Sequence, residues 1–167
     1  MPALQFTTLN ILKFNKLISV TDRETTMESQ INRESHPAEV SDEELLTVMA
    51  DFLEMGHVEN IVAMFKQEAR YYQWAGDLLQ DERFAVRLGV SVLFEYLVAD
   101  RPDEVNLAIP SLARALRHEA SWVRGEAVSV LAIIATDDAL ALVKTMVDDP
   151  DSQVTAIVHD ILAEGKQ

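Results

Sequence analysis

The sequence predicts an all-α fold, in the form of an α-solenoid of about four stacked antiparallel helix pairs. Three observations support this fold class. Ala, Leu, Val and Glu are frequent while Gly and Pro number only 5 each, which favours helices. Apolar residues recur at i, i+3, i+4 and i+7 from Ser41 onward, as on one face of a helix. A helix-turn-helix pattern also repeats every 31 to 37 residues.

Residues 1–40 differ from the rest of the chain, because they are rich in Thr, Ser, Asn and Gln and show weak periodicity. We expect a disordered tail over 1–40 and a repeat domain over 41–167. Met27 is an alternative start, so residues 1–26 represent either an over-long gene prediction, a loose tail or a docking peptide. The apolar part of residues 1–20 has no basic stretch before it and no A-x-A site after it, which argues against a signal peptide.

The first predicted helix begins at Ser41, where the letters SDEE are typical of a capping box. The Ser41 side chain caps the helix and Glu44 follows three residues later. Gly56 then ends this helix at the position where a left-handed backbone is common. Two further helices are predicted over 57–67 and 68–79, and the first two helices together should cap the N-terminal end of the stack.

Three later helices carry related segments: VRLGVSVL at 86–93, VRGEAVSVL at 123–131 and VTAIVHDIL at 154–162. The last two segments match at an offset of 31 residues, and the two Val-Arg pairs are 37 residues apart. Other apolar helices are predicted over 101–117 and 138–147, each before one of these segments. A single helix pair cannot bury its apolar stripe alone, so the pattern predicts stacked pairs.

The segment IPSLARALRHEASWVRGEAVSVLAII at 109–134 resembles a HEAT repeat, as in bacterial HEAT-repeat proteins. Pro110 matches the proline of the family's first helix, and Arg124 follows it by 14 residues as in the family pattern. The short last unit, DDPDSQVTAIVHDILAEG, is similar to the HEAT-like repeats of phycobilisome lyases. The resemblance covers about residues 57–165. His118 stands where the family has a turn aspartate, and Thr155 replaces the repeat arginine.

The resemblance implies a structural ladder, in which turn aspartates pair with repeat arginines along the stack. The residues at these positions are Asp81, Arg87, Arg124 and Asp149. It also implies a non-enzymatic protein–protein interaction scaffold or adaptor. The alternative is a lyase-like or metal-dependent HEAT-repeat enzyme or enzyme subunit. Separately, Pro110 lacks an N–H, so we expect it to kink the helix over 101–117.

The charge and composition limit the partners. A net charge of −14 repels phosphate groups, which argues against nucleic acid and anionic membranes and favours a protein partner with a basic or amphipathic segment. The chain has no Cys, and no apolar run reaches the ~18 residues that span a bilayer. We therefore expect a soluble, cytoplasmic protein.

His118-Glu119 is the one His-Glu pair in the chain, and such pairs bind iron in some HEAT-like enzymes. A metal needs about three or four converging ligands, which one pair does not supply. The alternative is that His118 lies at the end of the preceding helix, where a cationic imidazole suits the helix dipole. We expect no metal, no cofactor and no catalytic residue.

The candidate partner contacts are aromatic and acidic. Tyr71, Tyr72 and Trp74 lie within four residues, so they either form part of the core or contact a partner. Trp122, in a turn, presents the same two alternatives. Acidic residues on the second helix of each predicted pair either meet a basic partner or form a solvated face. These are Glu95, Glu126 and Asp160.

Overall fold

The computed structural model describes residues 40–165, and within this range the fold is all-helical. The described residues fall into two units, 40–48 and 49–165. The expectations about the tail, the alternative start and the docking peptide lie outside the described residues. Two 3₁₀ helices cover Ala69–Trp74 and Val105–Ala108. The α-helices are α1 (Asp42–Glu54), α2 (Val58–Gln67), α3 (Ala75–Leu78), α4 (Phe84–Asp100), α5 (Ile109–Ala115), α6 (Ser121–Ile134), α7 (Asp137–Lys144) and α8 (Ser152–Glu164).

Helix α1 begins and ends as the sequence predicts. The Glu44 N–H donates to Ser41 Oγ at 3.2 Å, and the Ser41 N–H donates to Glu44 Oε2 at 3.2 Å. These reciprocal bonds form a capping box and satisfy amide groups that the helix itself leaves unpaired. Gly56 follows the helix with φ of 78°, a left-handed conformation that costs glycine little.

Within residues 49–165 the helices form two series of neighbours. In one series α2 packs on α4, α4 on α6, and α6 on α8. In the other series α3 packs on α5 and α5 on α7, while α6 contacts both α5 and α7. Gly76 allows close packing between α3 and α5, because a Cβ there would lie 2.4 Å from the Ser111 carbonyl oxygen. The Gly76 N–H donates instead to Ser111 Oγ at 2.7 Å.

The apolar stripes of α4 and α6 form the core, as their periodicity predicts. Each stripe residue is buried, because its helix lies between two neighbours of the same series. In α8, which has one neighbour in its series, Val154 and Val158 are buried but Ile157, Ile161 and Leu162 are half-exposed. The buried stripe residues are Val86, Val90, Leu93, Phe94 and Leu97 in α4, and Val123, Ala127, Val130, Leu131 and Ile134 in α6.

Two predictions about helices are wrong. Residues 69–74, expected in an α-helix, form a 3₁₀ helix. The expected helix over 101–117 is interrupted by the 3₁₀ helix Val105–Ala108, and α5 begins at Ile109. Pro110 therefore lies in the first turn of α5, where an N–H has no partner within the helix. At this position the proline is compatible with a regular helix and does not kink it.

Candidate interaction surface

Three turns, each before a helix of the α4–α6–α8 series, contain an equivalent hydrogen bond. The side chain of the first turn residue accepts from the backbone N–H two residues later. Asp81 Oδ1 accepts from Arg83 at 2.9 Å and Asp149 Oδ1 accepts from Asp151 at 2.9 Å. In the middle turn His118 Nδ1 accepts from the Ala120 N–H at 3.1 Å. The imidazole thus takes the place of the aspartate as the acceptor in the turn. The His118 N–H also donates to the carbonyl of Ala115, the last residue of α5, at 3.1 Å, so His118 lies at the end of that helix as one alternative expected.

The arginine six residues after the first turn residue ties each turn to its helix. Arg87 Nη1 donates to the carbonyl oxygens of Asp81 and Glu82, both at 2.9 Å. Arg124 Nη1 donates in the same way to His118 and Glu119, both at 2.9 Å. The equivalent position in α8 is Thr155, which donates to the Ser152 carbonyl at 3.0 Å. The two arginines therefore have equivalent roles within their own turns.

Arg124 also forms a buried ion pair with the next turn. Its Nε and Nη2 donate to the two carboxylate oxygens of Asp149 at 2.7 and 2.8 Å. The side chains are 11% and 2% exposed, so both charges are largely removed from water. The hydrogen bonds from Arg124 hold the pKa of the Asp149 carboxyl below its usual value. Asp149 in turn raises the pKa of Arg124.

Beyond its own turn, Arg87 makes different contacts from those of Arg124. Its Nε donates to Glu126 Oε1 at 3.3 Å, and its guanidinium carbon lies 4.5 Å from the centre of the Trp122 ring. The Phe84 ring centre is 5.6 Å from the same carbon. A guanidinium at these distances is attracted to the negative faces of aromatic rings. We call the surface formed by Phe84, Arg87, Leu88 and Trp122 the arginine–aromatic patch.

Asp81 does not pair with Arg87 through its carboxylate, which corrects the expected ladder. Arg83 takes this carboxylate instead, at 2.7 Å. Arg83 also reaches Asp51 at 2.8 Å and Glu54 at 2.7 Å. The Arg83 hydrogen bonds lower the pKa of Asp81. Among the four residues expected in the ladder, Arg124 and Asp149 pair through their side chains, and Asp81 and Arg87 do not.

The aromatic cluster Tyr71, Tyr72 and Trp74 is buried, which favours a core role over partner contact. The Phe65 and Tyr72 rings meet edge to face at 5.0 Å, and Tyr71 and Trp74 lie 5.2 Å apart. Side chains this buried offer a partner almost no surface, so we do not propose them as contacts. Burial raises the pKa of Tyr72 to about 12, and its buried hydroxyl has no hydrogen-bond partner among residues 40–165.

The other candidate contacts are at the surface. Glu95 and Asp160 are exposed, and Trp122 and Glu126 meet around Arg87. The sequence reasoning missed Phe84 and Leu88, although both are large, apolar and exposed. Their position in the sequence could have identified them, because they flank Val86-Arg87 but lie off the apolar stripe of α4.

A shallow groove lies between α2 and α4, with a volume of about 560 Å³. Val62 and Tyr96 supply apolar surface, and Lys66 and Asp100 pair across it at 2.7 Å. Both charged side chains are more than a third exposed, so the pair contributes at most about 1 kcal/mol.

Within residues 40–165 no group of three or more His, Asp or Glu side chains could hold a metal ion. None of the helices in that range is long and apolar enough to cross a bilayer. Comparison of the chain with protein-family models, with curated proteins and with solved structures finds no match.

Proposed function

We propose that the protein is a non-enzymatic protein–protein interaction scaffold or adaptor, built as a small acidic HEAT-like solenoid. One observation carries this proposal: the same turn recurs on successive packed helices. Asp81, His118 and Asp149 accept equivalent hydrogen bonds, and Arg87 and Arg124 make equivalent contacts. A repeated unit that packs mainly on its neighbours is the construction principle of α-solenoids.

Such a stack presents rows of side chains on helices that the core holds in place, which suits the binding of an extended or helical partner segment. The net charge of −14 favours a basic or amphipathic segment through long-range attraction. Salt screens such attraction, with a Debye length near 8 Å at physiological ionic strength. Association should therefore weaken as ionic strength rises.

The test is reconstitution of a binary complex. The tagged full chain is crosslinked to its neighbours in the cells that express it, and each captured protein is purified and titrated separately. We expect one partner to bind stoichiometrically, with a basic segment at the contact and a Kd that rises several-fold between about 50 and about 300 mM salt. The proposal fails if no captured protein binds the purified chain, or if the chain turns over a small molecule.

A further inference from the structure

The arginine–aromatic patch is the part of the described surface where large apolar side chains concentrate around one cation. Phe84 is 65% exposed, Leu88 52% and Trp122 40%. Phe84 and Leu88 lie four residues apart on α4, so they share one face of that helix. Trp122 belongs to α6, and the Arg87 guanidinium joins the two helices by lying near both aromatic rings.

Arg87, at the centre of the patch, is held in place before any partner arrives. Arg87 donates to two turn carbonyls and to Glu126, so its guanidinium is fixed beneath the aromatic rings. A surface that is already ordered loses little conformational entropy on binding, and Trp and Arg are frequent hot-spot residues. Glu126 also balances the charge of Arg87, so the patch does not repel a cationic segment.

Two exposed acidic residues lie close to the patch along the chain. Glu82 lies two residues before Phe84, and Glu119 lies three residues before Trp122; both are exposed. The backbone carbonyls of these glutamates accept from Arg87 and Arg124, so the backbone of each glutamate is fixed near the start of a patch helix. Carboxylates beside an apolar surface suit a segment with Leu-like residues on one face and Lys or Arg at its edges.

We propose that the arginine–aromatic patch docks a basic amphipathic helix of a partner protein. The apolar face of that helix lies on Phe84, Leu88 and Trp122, and its basic residues face Glu82 and Glu119. This inference rests on the proposed function and specifies its surface. A second copy of this chain is a poorer occupant, because two molecules of net charge −14 repel each other.

The probe is a fluorescein-labelled Leu/Lys peptide of about 18 residues, with its Leu residues on one helical face. Its Kd for the full chain is measured by fluorescence anisotropy. A peptide of the same composition, reordered so that no apolar face forms, is the control ligand. We expect the Phe84→Ala/Leu88→Ala double variant to bind the amphipathic peptide about tenfold more weakly, because both anchors are lost.

Leu107→Ala is the matched control variant, since Leu107 is 49% exposed but lies in the 3₁₀ helix Val105–Ala108. It should leave the Kd unchanged. Trp122 gives a second readout: the chain has 2 Trp and Trp74 is buried, so acrylamide quenching reports mainly on Trp122. Bound peptide should protect Trp122 from the quencher. Circular dichroism verifies that each variant is folded.

Three results would overturn the inference. If the double variant binds as well as the wild type and Trp122 stays accessible, the peptide binds elsewhere, and the proposed function stands. If the reordered peptide binds equally well, charge alone accounts for binding and the patch does not select an amphipathic helix. If neither peptide binds, the partner chemistry is wrong, while the scaffold proposal is still decided by the reconstituted native complex.

Discussion

Arg87 and Arg124 form the same contacts inside their turns but differ in what they meet beyond them. Arg124 closes a buried two-bond pair with Asp149, the first residue of the following turn. For Arg87 the first residue of the following turn is His118, which offers no carboxylate. Arg87 instead makes a single 3.3 Å bond to Glu126 and lies against the exposed ring of Trp122.

The difference follows from the first residue of the next turn, which is an aspartate after Arg124 and a histidine after Arg87. Asp149 has two oxygens, so it accepts from both Arg124 and the Asp151 N–H. His118 has one acceptor nitrogen, Nδ1, and the Ala120 N–H uses it. The histidine therefore preserves the turn but leaves the preceding arginine without its carboxylate.

Among the substitutions that test this comparison, loss of Arg124 should lower the free energy of unfolding most. Arg124→Met leaves the Asp149 carboxylate buried without its partner, which we expect to reduce the free energy of unfolding by about 3–5 kcal/mol. Arg87→Met, the matched control, should cost about 1 kcal/mol, because Glu126 stays partly in water. Urea denaturation followed by circular dichroism measures both. Equal losses would show that the two arginines contribute alike.

Neutralising Asp149 should have the next largest effect, and it should depend on pH. Asp149→Asn removes a charge-assisted bond, which we expect to cost about 1.5–3 kcal/mol at neutral pH. The folded pKa of Asp149 lies below its unfolded value, because Arg124 donates to the carboxylate. The stabilisation is therefore present above the unfolded pKa, about 3.9, and is lost as the pH falls through the folded pKa.

Denaturation of Asp149→Asn and wild type between neutral pH and pH about 2 checks this prediction, since the gap between them should close at the acid end. Asp148→Asn, at an exposed neighbour, is the control and should change stability by less than about 0.5 kcal/mol. A gap that stays constant over this range would mean that the Asp149 charge is not what stabilises the fold.

Periodicity predicted most of the helical structure because a helix lying between two neighbours must bury a stripe. That reasoning holds for Val90 and Leu131, which are fully buried. It could not reveal the 3₁₀ conformation of Ala69–Trp74, where the Tyr72 ring packs on Phe65 and Phe94 across the core. Such contacts are set by tertiary packing, which overrides local helix propensity.

The arginine–aromatic patch was harder to predict than the core. Phe84 and Trp122 are 38 residues apart, and they come together only because α4 packs on α6. The Val-Arg spacing predicted that the arginines matter but not which acid each would meet. That choice depends on which side chains can reach the carboxylate: Arg83, only two residues away in the same turn, pairs with Asp81 in place of Arg87.

Placing an aspartate at the first position of the middle turn should raise stability, by a smaller amount than the losses above. In His118→Asp one oxygen can keep the Ala120 hydrogen bond while the other faces Arg87, as Asp149 does for Arg124. We expect unfolding to become less favourable by about 0.5–1.5 kcal/mol. In His118→Asp/Arg87→Met this gain should vanish. A gain that survives in the double variant would come from the turn alone.

Tyr72 extends the comparison to a buried polar group that has no partner in the described part of the chain, and its removal should have the smallest effect. Tyr72→Phe keeps the ring and deletes an unpaired hydroxyl, so we expect stability at neutral pH to change by less than about 1 kcal/mol, with any change towards greater stability. Burial raises the folded pKa of Tyr72 to about 12, from an unfolded value of about 10. Stability is therefore lost as the pH rises through this window, and Tyr72→Phe should resist alkaline unfolding better than wild type.

Tyr71→Phe is the control: it loses a hydroxyl that interacts with Arg70, so about 0.5–1.5 kcal/mol of stability should disappear. A loss of that size in Tyr72→Phe, measured by urea denaturation, would instead show that the Tyr72 hydroxyl is hydrogen-bonded.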